Sequence, residues 1–216
     1  EKIYLTASGG PFRGKDTEFL RTVTRAQALK HPNWTMGAKI TIDSASLMNK
    51  ALEIVEAKWL FGLDPSQIDV IIHPQSIIHS IAQFTDGSMK AQLGLPDMKL
   101  PIHYALAYPD RVQTNFPRFD FSNFPSFTFE KPDRQTFRSL DFAYYSLEKG
   151  GNMPCIMNAA NEVANAAFLQ EKISFLQIFD IVEAVMQKAS FLSKPSIYNY
   201  FETDAEARML AMEMVK

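Results

Sequence analysis

The sequence predicts an α/β unit, a mixed sheet with helices, followed by an all-α helical bundle. Three observations carry that prediction. Short β-branched runs alternate with helical stretches over the first half, phenylalanine and proline crowd together between residues 109 and 133, and helical spacing then continues to the last residue. With 216 residues, 46% of them hydrophobic, the chain is long enough to bury a real core. The expected divisions are 1–108, 109–133 and 134–216.

Residues 2–6 read as the first strand, 25–30 as helix, and 39–43 (Lys39, Ile40, Thr41, Ile42, Asp43) as a second strand. Ser44 is expected to open a helix that runs through 46–61. Ser46, Asn49, Lys50 and Glu53 recur there at spacings of three and four, which places them on one face, with Leu47, Ala51, Ile54 and Val55 on the apolar side. Residues 69–73 read as a strand. The runs 81–85 and 88–93 form a hairpin around Asp86 and Gly87, whose tolerance of positive φ suits a tight turn. Such a ribbon belongs at a sheet edge, where a second subunit can pair with it.

In 109–133, Pro117, Pro125 and Pro132 argue against helix, and Phe116, Phe119, Phe121, Phe124, Phe127 and Phe129 argue against a free linker. An extended strap packed on the body is expected. Beyond it come helices at 136–149, closed by Gly150 and Gly151, then 156–170, 175–189 and 204–216, the last with Asp204 as its cap. Their lengths and short connections fit a small bundle.

Composition excludes several classes. A formal net charge of −2 without a basic run lacks the footprint of phosphate neutralisation, so nucleic acid is not an expected partner. No apolar stretch approaches the ~20 residues that span a bilayer, and no signal segment opens the chain. A cytoplasmic or plastid-stromal protein is expected, with no membrane partner. Cys155 is the single cysteine, which rules out an internal disulfide; flanked by Pro154, Ile156 and Met157, it reads as a buried bystander. The chain starts at Glu1, without methionine, and runs straight into a strand, which suggests that a preceding segment has been removed.

Four stretches carry candidate chemistry. Ser8, Gly9, Gly10 and Pro11 follow a strand, so successive N–H groups and the Ser8 hydroxyl can turn toward phosphate oxygens, although a Gly-Gly-Pro turn also forms without a ligand. His31, Pro32, Asn33, Trp34, Thr35, Met36 and Gly37 show neither helical nor strand periodicity. They read either as a lid that closes apolar surface over a ligand or as a loop with Trp34 plugged into the core.

Asp43 and Ser44, followed by Asn49, Lys50 and Glu53, combine a helix start with an ammonium and a carboxylate able to hold a divalent cation; the bland reading is a solvated face. No nearby Asp or Glu obviously completes a metal site around Glu53. His73, Pro74, Gln75 and Ser76, with His79, lie at a strand end; two histidines without a third partner read as structural. Asn158, Asn161 and Glu162 read as a polar insert used in helix packing.

These motifs, with Pro96, Asp97 and Met98, occur together in an order that resembles the 1-deoxy-D-xylulose 5-phosphate reductoisomerase family over essentially the whole chain. The resemblance implies an enzyme dependent on NADPH and on Mg2+ or Mn2+, which rearranges 1-deoxy-D-xylulose 5-phosphate and reduces it to 2-C-methyl-D-erythritol 4-phosphate for non-mevalonate isoprenoid synthesis. By position it implies that Ser8, Ser44, Asn49 and Lys50 bind the substrate phosphate, that His31 and Trp34 contact substrate, and that Glu53 is the metal ligand. It also implies catalytic roles for Glu53, His31 and Lys50, cofactor contacts at Gly37 and Met98, and a homodimer.

On that resemblance, 1–108 is the distal part of the catalytic domain with its flap. The NADPH-binding domain and the other metal carboxylates are expected before residue 1, because no Gly-x-Gly-x-x-Gly follows a strand here. The isolated chain is therefore expected to be inactive. The alternatives are a non-catalytic phosphosugar-binding or dimerisation module and, more weakly, a metal-dependent aldolase or phosphatase.

Overall fold

The computed structural model describes residues 1–32, 34 and 36–215; Asn33 and Thr35 of the expected flap, and Lys216, lie outside it. Four strands form one mixed sheet, ordered β2-β1-β3-β4: β1 Lys2–Ala7, β2 Ile68–Ile72, β3 Ile78–Gln83 and β4 Met89–Leu93. β1 and β2 are parallel, with Leu5 beside Val70, and β3 runs antiparallel to β1, with Tyr4 beside Ile81. β3 returns into β4 through Asp86 and Gly87 (φ 83°), as the hairpin reading expects.

A parallel pair needs a crossover. Here it is made by helices α1 Thr17–Leu20, α2 Arg25–Ala28, α3 Ala38–Ala45 and α4 Met48–Phe61. α4 lays Ala51, Ile54 and Ala57 into the core. α5 Lys99–Ala107 follows the hairpin; it buries no residue and went unread in the sequence.

The stretch 39–43 is helix, not strand, and this corrects the sequence reading. Ile40, Thr41 and Ile42 favour strands by propensity, but Thr41, Ile42 and Ala45 all point into the core while Ile40 is 40% exposed, a helical rather than an alternating pattern. The Thr41 hydroxyl donates to the Gly37 carbonyl one turn back (2.9 Å), which absorbs the polar group that handicaps threonine in helices.

A second correction follows from it. Ser44 does not open a helix; it lies in the last turn of α3, and the chain breaks at Leu47 (φ 61°) before α4 begins at Met48. Ser46 leaves the polar stripe altogether. It is buried, and its hydroxyl donates to Ile42 O (3.0 Å).

The strap is anchored near its C-terminal end. Glu130 exchanges two backbone hydrogen bonds with Ile72 (2.9 Å each), and Thr128 O lies 3.0 Å from His73 Nδ1. Phe129 stacks on the buried His73 ring at 4.9 Å. Before that anchor, Phe119 packs with Phe121, Phe124 and Phe127, of which Phe127 meets His73 edge to face at 5.6 Å. Phe116 meets His103 of α5 at 5.7 Å, and Phe121 is 69% exposed, so the strap is packed toward both ends with an exposed turn between.

Helices α6 Ser139–Lys149, α7 Met153–Leu169, α8 Phe175–Lys188 and α9 Ile197–Met214 make the expected bundle around α7. α9 starts at a Ser196 capping box, eight residues before the expected Asp204 cap; Asp204 lies inside the helix, where it accepts from Arg208 Nε (2.7 Å). Asn161 and Asn165 on α7 both donate to Asp43 Oδ1 (2.9 and 2.8 Å), and Arg208 on α9 pairs with Glu162 (2.6 Å). The Asn161 and Glu162 insert thus serves helix packing, as expected, and Asp43 is turned away from any ligand.

Candidate functional site

The site begins where two parallel strands end. Ser8 follows β1, and His73, just after β2, donates its N–H to Ala7 O (2.7 Å), so the carboxyl ends of the pair open onto one crevice. Gly10 (φ 68°) brings that loop against α3: a Cβ there would sit 2.8 Å from Ser44 O, so only glycine allows the approach.

The crevice is a cavity of about 940 Å³. Ser8, His31, Ser44, Asn49, Lys50 and Glu53 line it from the β1 loop and the α3–α4 corner, Trp34 and Met36 from the expected flap, and Met98 from the start of α5. Of the sequence-predicted residues, Gly37 is not in the lining; it caps the N-terminus of α3, and a Cβ there would touch nothing within 4 Å.

On α4 the three polar groups are joined. Asn49 Nδ2 donates to Glu53 Oε1 (2.7 Å), and Lys50 Nζ to Glu53 Oε2 (2.5 Å), so the carboxylate orients both donors. Glu56, one turn on, also lines the cavity. Burial, and then the neighbouring Glu53 charge, push its carboxyl pKa up. The sequence reading found no second carboxylate near Glu53, although the i, i+3 spacing was there to find.

His31 can be assigned a tautomer. The Trp34 N–H can only donate, and it points at Nδ1 (3.0 Å), so the neutral ring carries its proton on Nε2 and donates it to Ser8 Oγ (3.1 Å). Burial lowers the His31 pKa, which favours this neutral form. Ser8 Oγ also accepts from Gly10 N–H (3.2 Å), so its own proton is left to donate outward.

Trp34 meets His79 edge to face at 6.3 Å, and His79 Nε2 lies 3.0 Å from Gly94 O. His73 is structural, as expected; His79 is hydrogen-bonded and also lines the cavity. Cys155 is half-buried, and its pKa is pushed up first by burial and then by Asp204. The α5 wall, with Tyr104 and with Arg111 just beyond it, was missed, because a short helix with an even mix of faces carries little periodic signal.

A magnesium ion needs about six oxygen ligands. Glu53 offers one carboxylate, and the described residues hold no group of three acidic, histidine or cysteine side chains able to close a site. Alone, they do not make a metal centre.

The model of the DXP reductoisomerase C-terminal domain matches residues 93–210, and that of the 1-deoxy-D-xylulose 5-phosphate reductoisomerase C-terminal domain matches 1–61. The chain belongs to the DXP reductoisomerase family. It is 61% identical over 215 residues to the 1-deoxy-D-xylulose 5-phosphate reductoisomerase of Bacteroides fragilis (strain ATCC 25285), covering 100% of this chain and 55% of that protein. The Porphyromonas gingivalis (strain ATCC 33277) reductoisomerase is 52% identical, with 56% of its length covered.

Among solved structures, the Zymomonas mobilis reductoisomerase in complex with NADPH superposes with a TM-score of 0.92 at 43% identity, over 100% of this chain and 55% of that one. A DOX-P reductoisomerase in complex with NADPH, fosmidomycin and magnesium gives 0.94 at 40%, over 99% and 55%. The chain thus spans about half the length of the reductoisomerases it matches.

Proposed function

We propose that the protein carrying this chain is a 1-deoxy-D-xylulose 5-phosphate reductoisomerase, which rearranges its substrate and reduces it with NADPH. The observation that supports this most directly is the cavity wall of Ser8, Asn49, Lys50 and Glu53, three donors and a carboxylate pre-oriented at the mouth of a parallel strand pair. In this reading Ser8, Ser44, Asn49 and Lys50 bind the phosphate, charge-assisted at Lys50. His31 positions the Ser8 hydroxyl and contacts substrate, as does Trp34, which closes over the pocket with Met36. Phosphate binding, remote from the reacting carbons, supplies energy for orienting them.

Glu53 is proposed as one ligand of a magnesium or manganese ion whose other ligands come from outside the described residues. Gly37 and Met98 are proposed as cofactor contacts. The divisions 1–108, 109–133 and 134–216 serve as catalytic part, strap and bundle. The protein is proposed to work in the cytoplasm; the described residues contain no helix long and apolar enough to cross a membrane. A homodimer is proposed through the β4 edge, where strand pairing is open. The chain on its own is proposed to be inactive.

NADPH consumption by the complete protein, started by 1-deoxy-D-xylulose 5-phosphate with magnesium present, tests the assignment. Substrate-dependent oxidation supports it, and none with correctly folded protein overturns it.

A further inference from the structure

Among the described residues, the cavity lining carries one lysine and one arginine, Lys50 and Arg111, and their surroundings differ. Lys50, on α4, is held by Glu53 at 2.5 Å. Arg111 stands on the α5 side at the start of the strap, and among the described residues neither a carboxylate nor a hydrogen-bond acceptor meets its guanidinium. It is nevertheless placed: its Cζ lies 3.6 Å from the centroid of the Tyr104 ring, itself in the cavity lining.

Stacking of this kind covers the face of the guanidinium and leaves its edge N–H groups directed outward, the fork that takes phosphate oxygens in pairs. At about 940 Å³ the cavity lies near the upper end of small-molecule sites, with room beyond one five-carbon phosphate. Met98 precedes α5 and Tyr104 lies six positions further on, roughly 9 Å along a helix axis. A nicotinamide ring on Met98 would place its ribose, and then its first phosphate, over about that distance.

We propose that Arg111, braced on Tyr104, binds the phosphate adjacent to the nicotinamide ribose of the dinucleotide. This rests on the reductoisomerase reading above, with Met98 as the nicotinamide contact. It gives the pocket two anion sites: Lys50 with Ser8 and Asn49 for the substrate, and Arg111 for the cofactor.

The test is titration of the complete protein with NADPH and, separately, with fosmidomycin plus magnesium, for the wild type, Arg111→Gln and Arg111→Lys. Arg111→Gln should weaken NADPH about tenfold or more, as loss of a charge-assisted contact does, and leave fosmidomycin unchanged; Arg111→Lys should recover part of the loss. Reduced nicotinamide riboside, which lacks the phosphate, should bind Arg111→Gln and wild type alike. Wild type that binds NADPH, with Arg111→Gln unchanged or equally weakened for the riboside, overturns the Arg111 assignment alone. Wild type that binds no NADPH overturns the reductoisomerase reading and the assignment with it.

Discussion

Lys50 is buried at the start of α4 with its ammonium 2.5 Å from Glu53, and it reaches the cavity only from that position. In the complete protein, Lys50→Ala should raise the substrate KM about ten- to a hundredfold, the cost of one hydrogen bond to a charged group. Steady-state kinetics decide it, and an unchanged KM removes Lys50 from the phosphate site. Burial lowers the pKa of both His31 and His79; at His79 the nearby His73 and Lys50 add to the effect, and the Gly94 carbonyl opposes it.

A histidine with a depressed folded pKa binds more protons when unfolded, so its neutral form supports stability above the unfolded value and that support is lost as pH falls through about 6.5 and below. Thermal melts between about pH 7.5 and pH 5 should show this decline, and His31→Gln should flatten it. A melt independent of pH over that range contradicts the assignment of neutral rings.

Among the elements, α3 shows where pattern reading fails. Ile40, Thr41 and Ile42 look like a strand to any propensity scale, and only tertiary packing, with Asp43 drawn toward Asn161 and Asn165 of α7, makes the stretch a helix. Those partners lie 118 and 122 residues away, beyond any local window. Replacing Asp43 by Ala strips two buried amides of their acceptor and Lys39 of its ion pair, and should cost about 2–4 kcal/mol in urea unfolding. A loss of only a few tenths would mean that the joint carries no weight.

The strap makes an independent prediction. Arg111 and Arg118 lie in exposed backbone outside any strand ladder, whereas Arg134 follows the Glu130 bridge to Ile72 and is ion-paired with Asp141 of α6. Limited trypsin digestion followed by mass spectrometry should cut after Arg111 and Arg118 before it cuts after Arg134; the reverse order would contradict the tighter hold at the Glu130 anchor.

At the level of the whole molecule, the mixed sheet with helices followed by a helical region was readable because each rests on local pattern: alternation, then helical spacing. Eight of the nine predicted site residues, all except Gly37, do line one cavity, yet the sequence could not show the break at Leu47 that removes Ser46 from the stripe, nor the α5 wall that closes the far side. A left-handed residue that is not glycine announces itself only in three dimensions.

The most direct measurement of the central claim, that the Ser8, Asn49 and Lys50 wall holds a sugar phosphate, is phosphorus NMR of 1-deoxy-D-xylulose 5-phosphate titrated with this 216-residue chain and with its Lys50→Ala variant. The wild-type chain should shift or broaden the phosphate resonance in proportion to its concentration, and a folded Lys50→Ala chain should not. Equal perturbation by both would place the phosphate elsewhere and contradict the account.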